Sequence, residues 1–214
     1  GYHVNGSKSW LICKTEEVAA EAKKVFGDTV NVTTEGMRHL GAVIGAQCYK
    51  DKYCTEKVGE WTTELERLAE IAETEPQAAY NVYSKGYKSK FTYFLRTIDK
   101  MGEYLKPVES VLVEKLIPAF FGGDKPDVPR DIIALNPNDG GLGIENPGKI
   151  AASQFQASKI KTQIHVETIV SQEQIMRDTT RDGKTAKEIE EQIRQNKQQL
   201  RKENTEAAIP EYMK

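Results

Sequence analysis

Between Cys54 and Ala72 the apolar residues Cys54, Val58, Trp61, Leu65, Leu68 and Ala72 recur at intervals of 4, 3, 4, 3 and 4. A strand cannot use that spacing, because its side chains alternate between two faces, whereas an α-helix gathers it into one stripe. A helix with a single apolar stripe has to bury it against neighbouring elements, so the chain must supply partners. Pro76 suits the first turn of a second helix, over about 76–98, with Tyr80, Tyr83, Tyr87, Phe91 and Phe94 spaced 3 or 4 apart. A third helix is predicted over roughly 103–120, and Pro107 moves its start towards Lys106. Its Val108, Val111, Leu112, Leu116 and Phe120 complete a small bundle with the other two.

The first 45 residues have a different texture and read as α plus β. Asn5-Gly6 is a tight-turn pair, opening a hairpin-like segment with Lys8 just past the bend. Ser9-Trp-Leu-Ile-Cys13 then reads as a short buried strand. Thr15 is a candidate N-cap for a helix through Val18, Ala22 and Phe26 that Gly27-Asp28 stops. Thr29 to Thr33 is a β-branched strand, and Arg38 to Gly45 a short apolar strand with glycines at two positions.

After Phe121-Gly-Gly the chain is loop-like, and Asn138 to Ile144 is a turn followed by an extended piece. A helix runs from Pro147 through Ile164 or beyond, Thr179 to Gly183 breaks the pattern, and Thr185-Ala-Lys-Glu188 has capping-box form. The charged helix that follows, to about Thr205, has only Ile189, Ile193 and Leu200 as a thin contact face. The expected fold class is mainly α with a small α+β N-terminal part, divided at residues 1–46, 47–122 and 123–214.

Composition narrows the functional classes. With 38% hydrophobic and 29% charged residues, the 214-residue chain matches a folded protein with long solvated helix faces. No apolar run approaches the roughly 20 residues of a membrane span, so no membrane partner is expected. Three cysteines form no disulfide framework and suit a reducing, intracellular compartment, cytoplasmic or nuclear. Cys48, Cys54 and His39 match no zinc-ligand spacing. Gly140-Gly-Leu-Gly143 lacks the Lys-Ser/Thr of a phosphate-binding P-loop, and His3, His39 and His165 suggest no triad. The many carboxylates fall on the polar faces of amphipathic helices, so residue chemistry alone yields no self-contained active site.

The clearest physical signal is charge segregation. From Pro76 to Thr97 there are four basic residues, Lys85, Lys88, Lys90 and Arg96, and no acidic one, in a chain of net charge -2. Asn81, Lys85, Lys88, Thr92 and Arg96 follow helical spacing beside the aromatic stripe. Such a row suits a nucleic-acid backbone, each phosphate contact adding a salt-dependent counterion-release term. The same spacing also describes an ordinary solvated face, and the aromatic stripe reads as core before it reads as a base-stacking platform.

In their order along the chain, these motifs resemble reverse transcriptases of non-LTR-type retrotransposons. Gly1-Tyr-His-Val-Asn5-Gly-Ser-Lys8-Ser resembles the Gly-x-x-x-Asn-x-x-Lys-Ser/Thr signature of motif D, and Arg38-His-Leu40-Gly41 the Leu-Gly core of motif E. The helices after them sit where the thumb belongs, and Gly140-Gly-Leu-Gly-Ile144 looks like a stretch that follows it. The surroundings of Trp61 and the segment from Tyr80 to Thr97 look like the downstream part of polymerases of metazoan mobile elements.

The resemblance implies a palm remnant over 1–46, a thumb-like bundle over 47–122 and a post-thumb tail over 123–214. It makes Lys8 a general acid towards the pyrophosphate leaving group, with Asn5 and Gly6 shaping its turn. Leu40 and Gly41 fall in the hairpin that holds the primer end, and Lys85, Lys88 and Arg96 on a thumb helix facing template-primer. The implied partners are an RNA template and a DNA primer, as an RNA–DNA hybrid. The family's metal-binding aspartates belong to motifs A and C, upstream of motif D. No metal ligand is therefore expected here, Mg2+ being a cofactor of the complete polymerase only. Asp124, Asp127, Asp131 and Asp139 do not resemble a Tyr-x-Asp-Asp hairpin. The expectation is a C-terminal fragment that binds nucleic acid weakly and does not polymerise alone. A rival expectation is a helical interaction or scaffold module with no nucleic-acid role.

Overall fold

A computed structural model describes residues 5–172 and 183–212. Gly1 to Val4 of the motif D signature and Thr179 to Asp182 of the pattern break lie outside the described residues. The chain is mostly helical with a small N-terminal α+β part, and it divides into two compact units, Gly1–Glu60 and Trp61–Lys214.

The first unit begins with a single 3-10 turn, Gly6–Lys8, leading into β1 (Trp10–Ile12). Helix α1 (Glu16–Phe26) connects β1 to a parallel neighbour, β2 (Asn31–Thr33), with Leu11 opposite Val32. Thr15 caps α1 as its sequence position suggests, its Oγ1 accepting from the Val18 N–H at 3.4 Å. Glu16 and Glu17 lie in the first turn and Lys23 and Lys24 in the last, each sign complementing the helix dipole.

The buried cluster of this βαβ element is small, made of Cys13, Ala19 and Ala22 with Val32 packed against it. Two expectations are corrected here. The β1 strand is not buried: Trp10 is 46% exposed and Leu11, on the opposite face, is exposed as well, so of this segment only Cys13, just past the strand, joins the core. Nor do Val18 and Phe26 face inward; the helix presents Ala19 and Ala22, whose small side chains let it sit close to the strands.

Arg38 to Gly45 is not one strand but two. β3 (Gly36–His39) and β4 (Ala42–Gly45) pair antiparallel, His39 opposite Ala42, around a two-residue turn at Leu40-Gly41. Tyr53, on the first half of α2 (Gln47–Thr74), donates its hydroxyl to the Gly41 carbonyl at 2.6 Å and holds this turn in place.

The stripe that predicts α2 is buried at every position from Cys54 to Ala72. In the second unit the predicted 76–98 helix is continuous but not uniform. α3 (Pro76–Val82) passes through a π turn, Tyr83–Tyr87, into α4 (Lys88–Thr97). The reason lies in the buried residues Ala79, Tyr83, Tyr87, Phe91 and Leu95, a strict four-residue repeat. An α-helix turns ~100° per residue, so such a repeat drifts by about 40° per step. One π turn, closed by the Lys88 N–H on the Tyr83 carbonyl, takes up an extra residue and keeps the stripe aligned.

The next helix repeats the device: α5 (Lys106–Val111) and α6 (Ile117–Phe120) flank a π turn at Leu112–Leu116, and Val108, Leu112 and Leu116 are buried four apart. Of the aromatic stripe Tyr83, Tyr87 and Phe91 are core, as read, while Tyr80 and Phe94 are half-buried at its edges. Trp61 meets Phe91 and Phe94 edge-on at 5.2 and 4.7 Å, and the Tyr87 hydroxyl reaches the Trp61 carbonyl and Glu64 Oε2 at 3.0 and 2.8 Å.

α7 (Arg130–Ala134) is an element that the sequence pattern does not predict. It is too short to show periodicity and is held by long-range contacts. Arg130 grips both Glu109 carboxylate oxygens at 2.8 and 3.1 Å and donates to the Ile144 carbonyl at 2.6 Å. α8 (Pro147–Ser171), placed in the tail by the sequence division, packs on α4, on α5 and on the 3-10 turn Met101–Tyr104. Asn146 caps it, accepting from the N–H groups of Gly148 and Lys149. α9 (Ala186–Tyr212) opens with the predicted capping box: Thr185 N–H donates to Glu188 Oε2 at 2.7 Å and Glu188 N–H to Thr185 Oγ1 at 3.2 Å. Its fork of Arg201 on Asp139 and its buried Ile189 tie it to the second unit.

Candidate nucleic-acid interface

The residues singled out in the sequence fall on three surface features. The first is the turn at Asn5 to Ser9. The Lys8 and Ser9 N–H groups donate to the Asn5 and Gly6 carbonyls at 3.1 and 2.8 Å, and Ser7 Oγ donates to Asn5 Oδ1 at 2.7 Å. Asn31 Nδ2 donates to the Ser7 carbonyl at 2.8 Å and so pins the turn to β2. Gly6 is required sterically, since a Cβ there would lie 2.2 Å from the Thr29 carbonyl oxygen. Lys8 is exposed on this rigid base.

The second feature is the tip of the β3–β4 hairpin. Leu40 and Gly41 have φ of 49° and 84°, the two positive values that a type I′ turn demands. Glycine or asparagine adopts that conformation readily, while leucine carries a backbone cost of roughly 1–2 kcal/mol. Leu40 is nevertheless there and is 82% exposed, so burial of its side chain recovers little of that cost. A strained, exposed apolar residue at a hairpin tip is a reason to look for a contact outside the chain.

The third feature is the basic side of α3 and α4. Asn81, Lys85, Lys88 and Arg96 are exposed and Thr92 is half-buried. The π turn bends the expected row. Asn81 and Lys85 follow buried residues by two positions and occupy the back of the helix, whereas Lys88, Thr92 and Arg96 follow by one and lie on its flank. On that flank Arg96 Nε donates to Gln154 Oε1 of α8 at 3.0 Å. Lys90 is committed elsewhere, 2.6 Å from Glu64 and 4.6 Å from the Tyr87 ring centre. Lys85 and Lys88 make no ion pair among the described residues, and the helix they stand on has no acid to neutralise them.

Glu66, Glu70, Glu73 and Glu114 line one open groove together with Lys115, which pairs with Glu66 at 2.8 Å. Asp131 pairs with Lys149 at 2.8 Å, and the Arg201 fork holds the Asp139 carboxyl below its ordinary pKa. Among the described residues no group of three or more His, Cys, Asp or Glu is placed to hold a metal ion. Cys54 is enclosed, and burial, with Asp51 adding to it, pushes its thiol up to about 11. No helix among the described residues is long and apolar enough to cross a membrane.

Sequence reasoning missed a groove of about 590 Å³ in the second unit, lined by Gln77, Tyr80 and Asn81 from α3, by Phe120 and Phe121, and by Leu142. The adjacent aromatics Phe120-Phe121 were its only trace in the sequence. Comparison of the chain with protein-family models, curated proteins and solved structures yields no significant match.

Proposed function

We propose that the chain is a template-primer-binding part of a reverse transcriptase of the non-LTR retrotransposon type. In this reading the second unit is thumb-like and the first carries the motif D and motif E turns. The observation that carries the reading is the pair Lys85 and Lys88, exposed and without an ion pair among the described residues on a helix that has no acid. A cationic edge of that kind attracts phosphates and releases their counterions on contact.

Leu40 supports the same reading, as an exposed apolar tip able to rest against a primer end. Lys8, on its pinned turn, is suited to place a positive charge and a donatable proton beside a pyrophosphate leaving group. The resemblance assigns the Mg2+ donors to motifs A and C of the complete polymerase. The proposal therefore concerns binding and orientation, with no step through a metal.

Titration of a labelled RNA–DNA hybrid at low salt tests the reading: the chain binds, and Lys85→Glu with Lys88→Glu removes most of the affinity. Absence of binding, or binding indifferent to the double variant, refutes it. One observation favours a second reading, a helical interaction module: α8 leaves Val166, Ile169 and Val170 exposed at helical spacing near its C-terminal end. That reading predicts self-association in sedimentation experiments that is unchanged by Lys85→Glu and Lys88→Glu.

A further inference from the structure

We infer that the groove between α3 and the Phe120-Phe121 corner receives one unstacked nucleobase of the strand that Lys85 and Lys88 bind; the inference rests on the nucleic-acid reading above. The walls are suited to a flat heteroaromatic ring. Tyr80 and Phe120 meet edge-on at 6.0 Å, and the Tyr80 hydroxyl donates to the Leu142 carbonyl at 2.7 Å, which fixes the tyrosine ring as a wall. Phe121 is 44% exposed at the rim and presents an aromatic face on which a base can stack.

The polar groups are amides and not charges. Gln77 and Asn81 stand one helical turn apart, and Asn81 Nδ2 donates to the Gln77 carbonyl at 3.0 Å, which leaves Asn81 Oδ1 as an acceptor at the groove. Exposed carboxamides offer the donors and acceptors that base edges require. Among the described residues no acidic one lines the groove. Asn81 also shares the back of the helix with Lys85, so a strand with its phosphate on Lys85 carries its neighbouring base towards the opening. That charge continuity favours a nucleotide over an apolar peptide side chain, which gains nothing from a lysine four residues beyond Asn81 on the same side of the helix. The groove volume of about 590 Å³ falls in the range of small-ligand sites.

The test uses the full chain and a single-stranded 12-mer in two forms, one with every base present and one with abasic sites at its centre, read by fluorescence anisotropy at low salt. The inference predicts that wild-type protein binds the abasic form roughly ten-fold more weakly, within what one stacked base contributes. Phe121→Ala, a change at an exposed rim, weakens binding of the intact oligonucleotide by a similar factor and no longer distinguishes the two forms. Its salt dependence stays that of the wild type. Asn81→Ala gives a smaller loss in the same direction, guarding against a folding artefact of the first variant.

Equal binding of both forms by wild type, with Lys85→Glu plus Lys88→Glu still abolishing it, overturns the base-binding groove and leaves the phosphate reading standing. No binding of either form overturns the base-binding groove, and the hybrid titration above then decides the phosphate reading. If the side-chain amide resonances of Gln77 and Asn81 shift with an amphipathic helical peptide and not with the oligonucleotide, the occupant is a protein and the inference falls.

Discussion

Replacing Arg130 by Met tests whether the second unit is held as described. The guanidinium makes three charge-assisted hydrogen bonds, two to Glu109 at 2.8 and 3.1 Å and one to the Ile144 carbonyl at 2.6 Å. Removing one partner of a fully buried ion pair costs about 3–5 kcal/mol, mostly because the other charge is stranded. Here the side chains are 22% and 20% exposed, so water recovers part of that loss. The cost is then about 2–3 kcal/mol, with the three bonds not summed separately. At this chain length that lowers Tm by roughly 4–12 °C.

Urea unfolding followed by Trp61 fluorescence in a Trp10→Phe background reads the second unit alone, since Trp61 lies in its aromatic core. Adding Glu109→Leu to Arg130→Met removes the stranded carboxylate and restores most of the loss. A single-variant cost below about 0.5 kcal/mol, the scale of an ordinary surface change, refutes the staple. So does a double variant no more stable than the single.

Three further outcomes follow from the same geometry. Cys48 is exposed while Cys13 and Cys54 are buried, so a thiol reagent at pH 8 modifies one cysteine rapidly and the other two only in denaturant. For Cys54, with its thiol near 11, the thiolate fraction at pH 8 is about one in a thousand. Burial raises Tyr83 and Tyr87 well above the ordinary tyrosine range, Glu64 adding to the shift at Tyr87. The stability this lends is complete below the unfolded value of about 10 and is lost as pH rises above it, so absorbance at 295 nm shows these two ionising only with unfolding. Leu40→Asn relaxes the type I′ turn and stabilises the first unit by about 0.5–1 kcal/mol, yet weakens template-primer binding; unchanged binding removes Leu40 from the interface.

The helical framework was legible wherever burial and the α-helical period agree, as at Cys54 to Ala72, and wherever a cap is spelled in adjacent residues, as at Thr15 and Thr185. The π turns were less visible. The four-residue repeat announces them only when Ala79 and Leu95 are counted with Tyr83, Tyr87 and Phe91, and the aromatics alone suggest ordinary α spacing. The β3–β4 hairpin was hidden from the residue pattern by Leu40, because a turn that usually advertises itself as Asn-Gly has leucine in the strained place, and only the resemblance put a hairpin there. Whether Trp10 and Leu11 are covered depends on what packs on each of the two faces of the sheet, one for each residue, which the strand's own sequence cannot say. The basic row was legible as charge but not as geometry: the π turn divides it, and Arg96 leans on α8, an element 58 residues away in sequence.

The salt dependence of binding to an RNA–DNA hybrid, measured by anisotropy for wild type and for Lys85→Glu with Lys88→Glu, tests the central claim most directly. If each lysine meets one phosphate, the slope of log K against log salt is shallower in the double variant by roughly 1.8. About ten-fold of the wild-type loss of affinity between 50 and 200 mM salt then disappears. Equal affinity and equal slope for the two proteins, or no binding by wild type at 50 mM salt, contradicts the account.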